Sequence, residues 1–204
     1  TESAGAPAPV HLIIMGDGYT KDDYSEEGKF DKDVATAVDA FFGLEPFATY
    51  RNYFRVTVMA VYSQESGATV KTDMVDCKAQ TRNTAFSTTL DGGNSTAVSC
   101  DMDKAYSYAK KIPGVTDAEL QNTTILMLVN LNVYAGTCWM EQTGRSVSIC
   151  PVGSTFRNIV VHEGGGHGFG RLKDEYQYND VTIPAADKAA VELWRKTDPY
   201  FAYN

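Results

Sequence analysis

The sequence lacks the features that mark membrane and nucleic-acid-binding proteins. Of its 204 residues, 26 are acidic and 18 are basic, so the formal net charge is −8. Without a basic excess or a basic stripe, we expect no nucleic-acid partner. No apolar run reaches the roughly 18 residues that a membrane-spanning helix needs, so we expect no transmembrane segment. The content of 43% hydrophobic and 22% charged residues is typical of a globular chain of one domain.

Cysteine is scarce, with four residues at Cys77, Cys100, Cys138 and Cys150. None of them has the Cys-x-x-Cys spacing of a structural zinc knuckle. Their even number predicts two disulfides, and of the three possible pairings we favour the sequence-local one, Cys77 with Cys100 and Cys138 with Cys150. Such bridges would indicate an oxidising compartment and an exported protein. The alternative is four reduced thiols in a cytosolic protein.

Histidine is rarer still, and two of the three histidines, His162 and His167, lie in one glycine-rich stretch. A catalytic zinc needs neutral imidazoles and a carboxylate as ligands, with a base nearby to take a proton from water. His-Glu-x-x-His on a helix provides this, because residues four apart differ by about 40° around the axis. His162 and His167 are five apart, which is about 140° on a regular α-helix and is unsuitable for chelating one ion.

One π-type turn with i→i+5 hydrogen bonds would return the two histidines to a common face, and such turns occur mostly at functional sites. Gly164, Gly165 and Gly166 supply the flexibility for it, at a cost of roughly 1 kcal/mol each relative to alanine. Metal binding, worth on the order of 10 kcal/mol in structural zinc sites, is large enough to hold the helix. The alternative is a glycine-rich surface loop with incidental histidines. A phosphate-binding loop is disfavoured, since Asp174 and Glu175 would repel an anion.

The pattern of residues 162–176, His-Glu-Gly-Gly-Gly-His-Gly-Phe-Gly-Arg-Leu-Lys-Asp-Glu-Tyr, together with Gly-Asp-Gly-Tyr-Thr at 16–20, resembles the bacterial immunoglobulin A peptidase family of secreted, metzincin-like zinc metallopeptidases. The usual spacing in that family is His-Glu-x-Gly-His, so this chain carries one extra residue, as in a Gly-Gly-Gly variant of the motif. The resemblance implies an α/β fold with a twisted mixed sheet and a zinc-binding helix.

It also implies the roles of individual residues. His162 and His167 would bind Zn²⁺ with Asp174 as the third ligand, and Glu175 is the alternative for that position. Glu163 would be the general base. Metzincin-type sites rest on a methionine turn after the zinc helix, yet the last methionine here is Met140. We therefore expect the C-terminal part of the catalytic domain to be missing from residues 10–204, and residues 1–9 to be a linker or an artificial chain edge.

Along the chain, three apolar runs predict buried strands at 10–16, 54–63 and 123–130. A helix predicted from Thr20 to Gly43 joins the first two in a right-handed crossover, which makes the sheet partly parallel. Further predicted elements are a surface insertion at 64–100, a helix at 101–112, a hairpin with arms at 132–136 and 146–150, an N-cap at Ser154 or Thr155, and a helix at 184–196. We expect His11 to pack within its strand and Asp17 to form a turn, the alternatives being a metal ligand and a site residue.

By the same resemblance, Tyr134–Trp139 or Ser146–Ile149 would be the edge strand that pairs with an extended peptide. The predicted function is thus a zinc peptidase acting on protein or peptide substrates as a monomeric catalytic domain, with further domains in a longer chain, outside the cytoplasm of a bacterium. The alternatives are an inactive surface or secreted binding module with a structural metal, a hydrolase of non-peptide bonds, and nickel or cobalt in the same ligands.

Overall fold

The computed structural model describes residues 10–174, 182 and 184–197, except for the side chain of Trp194. The chain divides into two compact units, Thr1–Leu172 and Lys173–Asn204. The described strands are β1 Val10–Asp17, β2 Phe54–Met59, β3 Thr69–Thr72, β4 Thr89–Gly92, β5 Ser95–Ser99, β6 Thr123–Val129, β7 Thr137–Met140 and β8 Ser146–Pro151. The α-helices are α1 Lys29–Phe42, α2 Met102–Ala109, α3 Asp117–Leu120, α4 Phe156–Ile159 and α5 Ala185–Thr197, and a π-helix spans Val160–Phe169.

A five-stranded mixed sheet carries the first unit. Its order is β2-β1-β6-β8-β7, in which β1 pairs in parallel with β2 and β6, β6 pairs in parallel with β8, and β7 pairs antiparallel to β8. The three predicted apolar runs are all in this sheet, and the α/β prediction is confirmed. The predicted hairpin is also present, but its first arm is β7 rather than residues 132–136.

Side chains alternate between the two faces of the buried strands, as the pleat of a strand requires. On one face, Leu12 and Leu126 pack against α1 and the helices near residue 160. On the other face, Ile13 and Ile125 pack against α2 and the 60–100 segment. Both cores are fully buried at the centre, because these strand residues have no exposed surface. Position 11 also agrees with expectation, since His11 is buried in β1.

The predicted helix from Thr20 to Gly43 is interrupted near its start. A short 3₁₀ helix at Lys21–Tyr24 precedes α1, which begins only at Lys29. The capping interaction with an aspartate is present, because the backbone N–H of Thr20 donates to Asp23 at 2.7 Å. The predicted helix at 101–112 is shorter than expected, and α2 begins after Asp101, whose side chain accepts from Lys104 N.

Residues 64–100 are not a simple surface insertion, which corrects the prediction. They form a second sheet of order β3-β4-β5. Phe86, Val70 and Leu90 of this segment are buried in the core that contains Ile13. The prediction failed because the segment's strands are short and rich in serine and threonine. Its apolar residues are widely spaced, so no local run marks them.

Asp17 holds this segment in place. Its carboxylate has no exposed surface and accepts hydrogen bonds from the Ser63 and Thr84 hydroxyls at 3.0 and 2.8 Å. The backbone N–H groups of Phe86 and Thr88 donate to it as well, both at 3.0 Å. A buried carboxylate is tolerated only with such partners, so Asp17 is a fold-stabilising residue that joins β1 to the 84–88 loop.

The second unit contains α5, which agrees with the helix predicted at 184–196. Most described residues of α5 are exposed. None of the helices in the described part of the chain has both the length and the apolar character needed to cross a membrane.

Candidate metal centre

The two histidines lie on a π-helix, which is longer than the single π-type turn that their spacing predicts. Val160–Phe169 follows α4 directly, and its end is closed by an i→i+5 bond from Gly170 N to Gly165 O at 2.9 Å. The widening of the hydrogen-bond pattern around Gly164 to His167 is therefore confirmed. Of the two candidate N-cap residues, Thr155 holds the position before α4, although its side chain makes no capping hydrogen bond.

The π-turn brings the two imidazoles together. The Nε2 atoms of His162 and His167 are 3.1 Å apart, and their rings are nearly perpendicular at 83° with centroids 4.6 Å apart. Two nitrogens bound to one tetrahedral zinc at about 2.0–2.1 Å would lie roughly 3.3 Å from each other. The observed separation fits two imidazoles that share one ion.

A backbone carbonyl fixes the tautomer of His167. Its Nδ1 lies 2.7 Å from the carbonyl oxygen of Leu172, which can only accept a hydrogen bond. Nδ1 therefore donates this hydrogen bond, and Nε2 is the ring nitrogen that faces His162. Such a second hydrogen bond is usual for a metal-binding histidine, because it orients the ring and raises its basicity.

Glu163 completes the cluster. One ligand atom from each of His162, Glu163 and His167 lies within 4.8 Å of the others, and no other group of this kind occurs among the described residues. Glu163 is only 7% exposed, so its carboxylate lies at the edge of the core. Gly136 packs against it, since a Cβ at Gly136 would be 2.9 Å from Glu163 Oε1 and 2.8 Å from Ile159 Cγ2.

The three consecutive glycines have unequal surroundings. A Cβ at Gly164 would lie 2.5 Å from Leu126 Cδ2, and one at Gly165 would lie 2.9 Å from Phe47 Cε2. At Gly166 the nearest atom is Val161 O at 3.8 Å. None of the three has a positive φ. Gly164 and Gly165 are thus needed for close packing of the π-helix, whereas Gly166 is not.

The third predicted ligand lies in the other compact unit. Asp174 is exposed and belongs to Lys173–Asn204, so its role as a ligand stays a prediction. Its alternative, Glu175, lies outside the described residues. Sequence reasoning missed Gly136, Ser146 and Ser148, which touch the π-helix. A signal for the two serines was present, because polar residues at alternate positions of an otherwise buried strand need a specific partner.

The predicted disulfides are absent, since Cys77, Cys100, Cys138 and Cys150 all carry free thiols. Cys138 lies opposite Ser148 in the β7–β8 register, two residues away from Cys150, and a diagonal neighbour is too distant for a bridge. Cys77 Sγ lies beside the Lys78 carbonyl at 3.4 Å instead of a second sulfur. Burial is the main factor that raises the pKa of Cys100 to about 12 and of Cys138 to about 11.

A His-Glu-His cluster that could hold a metal ion, on a helix that packs against a mixed sheet, is typical of the class of metallopeptidases. The model of the family described as IgA Peptidase M64 matches residues 1–197. The chain belongs to this family. Its sequence resemblance is thereby confirmed.

Among solved structures, one similar chain is metalloproteinase-II from Bacteroides fragilis. It is 13% identical with a TM-score of 0.38, and the match covers 80% of this chain and 43% of that chain. This chain thus spans less than half the length of that solved chain. The search of curated proteins found no match.

Proposed function

We propose that the chain forms a catalytic part of a zinc-dependent endopeptidase. The observation that carries the proposal is the 3.1 Å separation of the His162 and His167 Nε2 atoms on a π-turn, with Glu163 beside them. In this proposal His162, His167 and Asp174 hold the ion. A bound zinc ion would supply a Lewis acid for the scissile carbonyl and would lower the pKa of a water molecule toward 7.

Glu163 would act as general base. Its carboxylate is next to the two imidazoles, and its burial against Gly136 limits the rotamers that it can adopt. It would take a proton from the attacking water and pass that proton to the nitrogen of the leaving amine. The Nδ1–H of His167 would remain bonded to Leu172 O throughout, so that the ring keeps its orientation.

The substrate would be an extended peptide along β7, the edge strand of the five-stranded sheet in the described part of the chain. Glu141 N donates to Arg145 O on the β8 side of the strand, whereas Gly136 N donates to Thr96 O on the opposite side. Because successive backbone groups of a strand alternate in direction, those of Cys138 and Met140 point away from β8. Pairing with these groups is tolerant of the peptide's sequence. Ser146–Ile149 is excluded as the edge, because β8 lies between β6 and β7.

The other partner assignments belong to the same proposal. The catalytic part would be monomeric, with further domains in a longer chain, and it would act outside the cytoplasm. Because the four thiols are free, disulfides no longer support a location outside the cytoplasm. The proposed location therefore depends on family membership.

Zinc content and hydrolysis test the proposal together. Elemental analysis should find one zinc per chain in the wild type and in Glu163→Gln, and none in the double variant His162→Ala, His167→Ala. Hydrolysis of a peptide library should be lost in Glu163→Gln by about 10²-fold to 10⁴-fold, the usual contribution of a general base. The matched control is Glu26→Gln, at an exposed glutamate outside the cluster, which should retain full activity.

The assay should use the chain together with whatever follows it in the full-length protein. Equal zinc in the wild type and the double histidine variant would refute the metal site. The chain would instead be a binding module if it held a full complement of zinc without hydrolysing peptides and bound a glycan or protein equally well with and without Glu163→Gln.

A further inference from the structure

Two serines of β8 bond the carbonyl groups at both ends of the widened turn. The Ser148 hydroxyl donates to the Glu163 carbonyl at 2.7 Å, and the Ser146 hydroxyl donates to the Gly168 carbonyl at 3.2 Å. Both serines have no exposed surface. Because they are two residues apart on a strand, they lie on the same face of the sheet.

The two carbonyls belong to residues five apart, and this spacing connects the serines to the helix type. On a regular α-helix, residues 163 and 168 would be rotated by about 140° from each other and would not face one strand together. One turn with i→i+5 bonding brings residue 168 back to the face of residue 163. The serine pair therefore matches the π register and does not match the α register.

Burial makes this match energetically important. A hydroxyl that is removed from water without a hydrogen-bond partner destabilises the fold, because nothing replaces the lost bond to water. Ser146 and Ser148 are the polar members of a strand that is buried at every position. If the turn tightened to α, at least one of the two hydroxyls would lose its carbonyl, so the serines penalise the α register.

Two neighbours complete the arrangement around Ser148. A Cβ at Gly168 would lie 2.6 Å from Ser148 Oγ, so glycine at 168 leaves the space that the hydroxyl occupies. Cys138 Sγ is 3.2 Å from the same oxygen. Cys138 and Gly168 therefore both lie against the Ser148 hydroxyl.

We propose that Ser146 and Ser148 are positioning residues that select the π register and so bring the Nε2 atoms of His162 and His167 close enough to share one metal ion. The serines touch neither substrate nor metal and act only through the helix. The proposal rests on the proposed metal site but not on peptide hydrolysis, and its tests do not measure hydrolysis.

Zinc affinity is the first readout. Competition with a chromogenic chelator should show Zn²⁺ bound about 10- to 100-fold more weakly by Ser148→Ala, the usual effect of losing a group that orients a metal ligand. The matched control is Thr123→Val, which removes another buried hydroxyl that donates to a carbonyl, that of Glu119, also at 2.7 Å. The control should leave zinc affinity unchanged, and an equal loss in both variants would overturn the proposal.

A deletion of one glycine, Gly165, separates register selection from general packing. The deletion gives a four-residue histidine spacing that suits a regular α-helix, so Ser148→Ala should then have no further effect on zinc affinity. An equal loss from Ser148→Ala in the deleted and undeleted chains would refute register selection.

A third measurement needs neither metal nor the deletion. Nuclear magnetic resonance couplings across hydrogen bonds should connect Gly168 N to the Glu163 carbonyl carbon in the metal-free wild type. In Ser146→Ala, Ser148→Ala the donor to that carbonyl should become His167 N. Persistence of the Gly168 coupling in the double variant would show that the serines do not select the register. Absence of zinc binding in the wild type would instead refute the proposed function and leave this test intact.

Discussion

Gly164 and Gly166 are two positions apart in the π-helix, yet substitution by alanine should affect the stability of the protein differently at the two positions. Both changes gain about 1 kcal/mol of helix propensity, so this contribution cancels when the two variants are compared. What remains is the fit of the added methyl group. At Gly166 the group would lie 3.8 Å from Val161 O, which is an ordinary van der Waals contact.

At Gly164 the methyl group would lie 2.5 Å from Leu126 Cδ2. Leu126 has no exposed surface and lies in β6 at the centre of the sheet, so it cannot move away without disturbing its own packing. Overpacking of this kind typically costs about 1–3 kcal/mol. We therefore expect Gly164→Ala to be less stable than Gly166→Ala by that amount.

Thermal unfolding of the metal-free proteins, followed by circular dichroism, measures the difference. For a chain of this size, about 1–3 kcal/mol corresponds to a melting temperature lower by roughly 2–12 °C in Gly164→Ala. Zinc binding should weaken in Gly164→Ala, because the helix must shift away from β6, and should be unchanged in Gly166→Ala. A melting temperature of Gly166→Ala at or below that of Gly164→Ala would refute the reasoning.

Three further predictions concern Asp17, the thiols and His11. Asp17→Asn should lower the free energy of unfolding by roughly 3 kcal/mol or more in urea titrations, because buried donors lose their acceptor; a change below 1 kcal/mol would contradict this. Titration of the denatured, unreduced protein with a thiol reagent should find four free thiols, whereas finding none would restore the disulfides. Burial, then the charge of Arg55, lowers the pKa of His11 below its ordinary 6.5. The unfolded chain therefore binds this proton at a higher pH than the folded chain, and the free energy of unfolding should fall as the pH drops through 6.5. Melting temperatures from pH 8 to 5 should show a shallower fall in His11→Gln than in the wild type.

The parts of the fold that sequence reasoning found are those with a local cause. The strands β1 and β6 are continuous apolar runs because both faces are covered, and that pattern is visible without any tertiary knowledge. The π-turn was also predictable, since α geometry does not let two histidines five residues apart share one metal ion. In both cases a few neighbouring residues determine the outcome.

The parts that were missed depend on contacts distant in sequence. Whether Cys138 meets Cys150 is decided by the register of β7 on β8, which places Ser148 opposite Cys138. The 64–100 segment folds onto the core through Asp17, whose hydroxyl partner within the segment, Thr84, is 67 residues away in sequence. In the sequence, nothing distinguishes Gly136 from an ordinary loop glycine. In the structure it packs against the Glu163 carboxylate.

The position of Asp17 also bears on how the early Gly-Asp-Gly-Tyr-Thr motif should be interpreted. Its carboxylate bonds Thr88 N, and from there the chain leads through β4 and β5 to Val98, which bonds both the Thr137 hydroxyl and the Trp139 indole of β7. β7 follows Gly136, which packs on the proposed base. Asp17 thus supports, through β5 and β7, the position of Gly136 beside Glu163, and it is not part of the His-Glu-His cluster. Loss of activity in an Asp17 variant would therefore not identify a catalytic residue, and a zinc affinity that survives the substitution would be the sign of this indirect role.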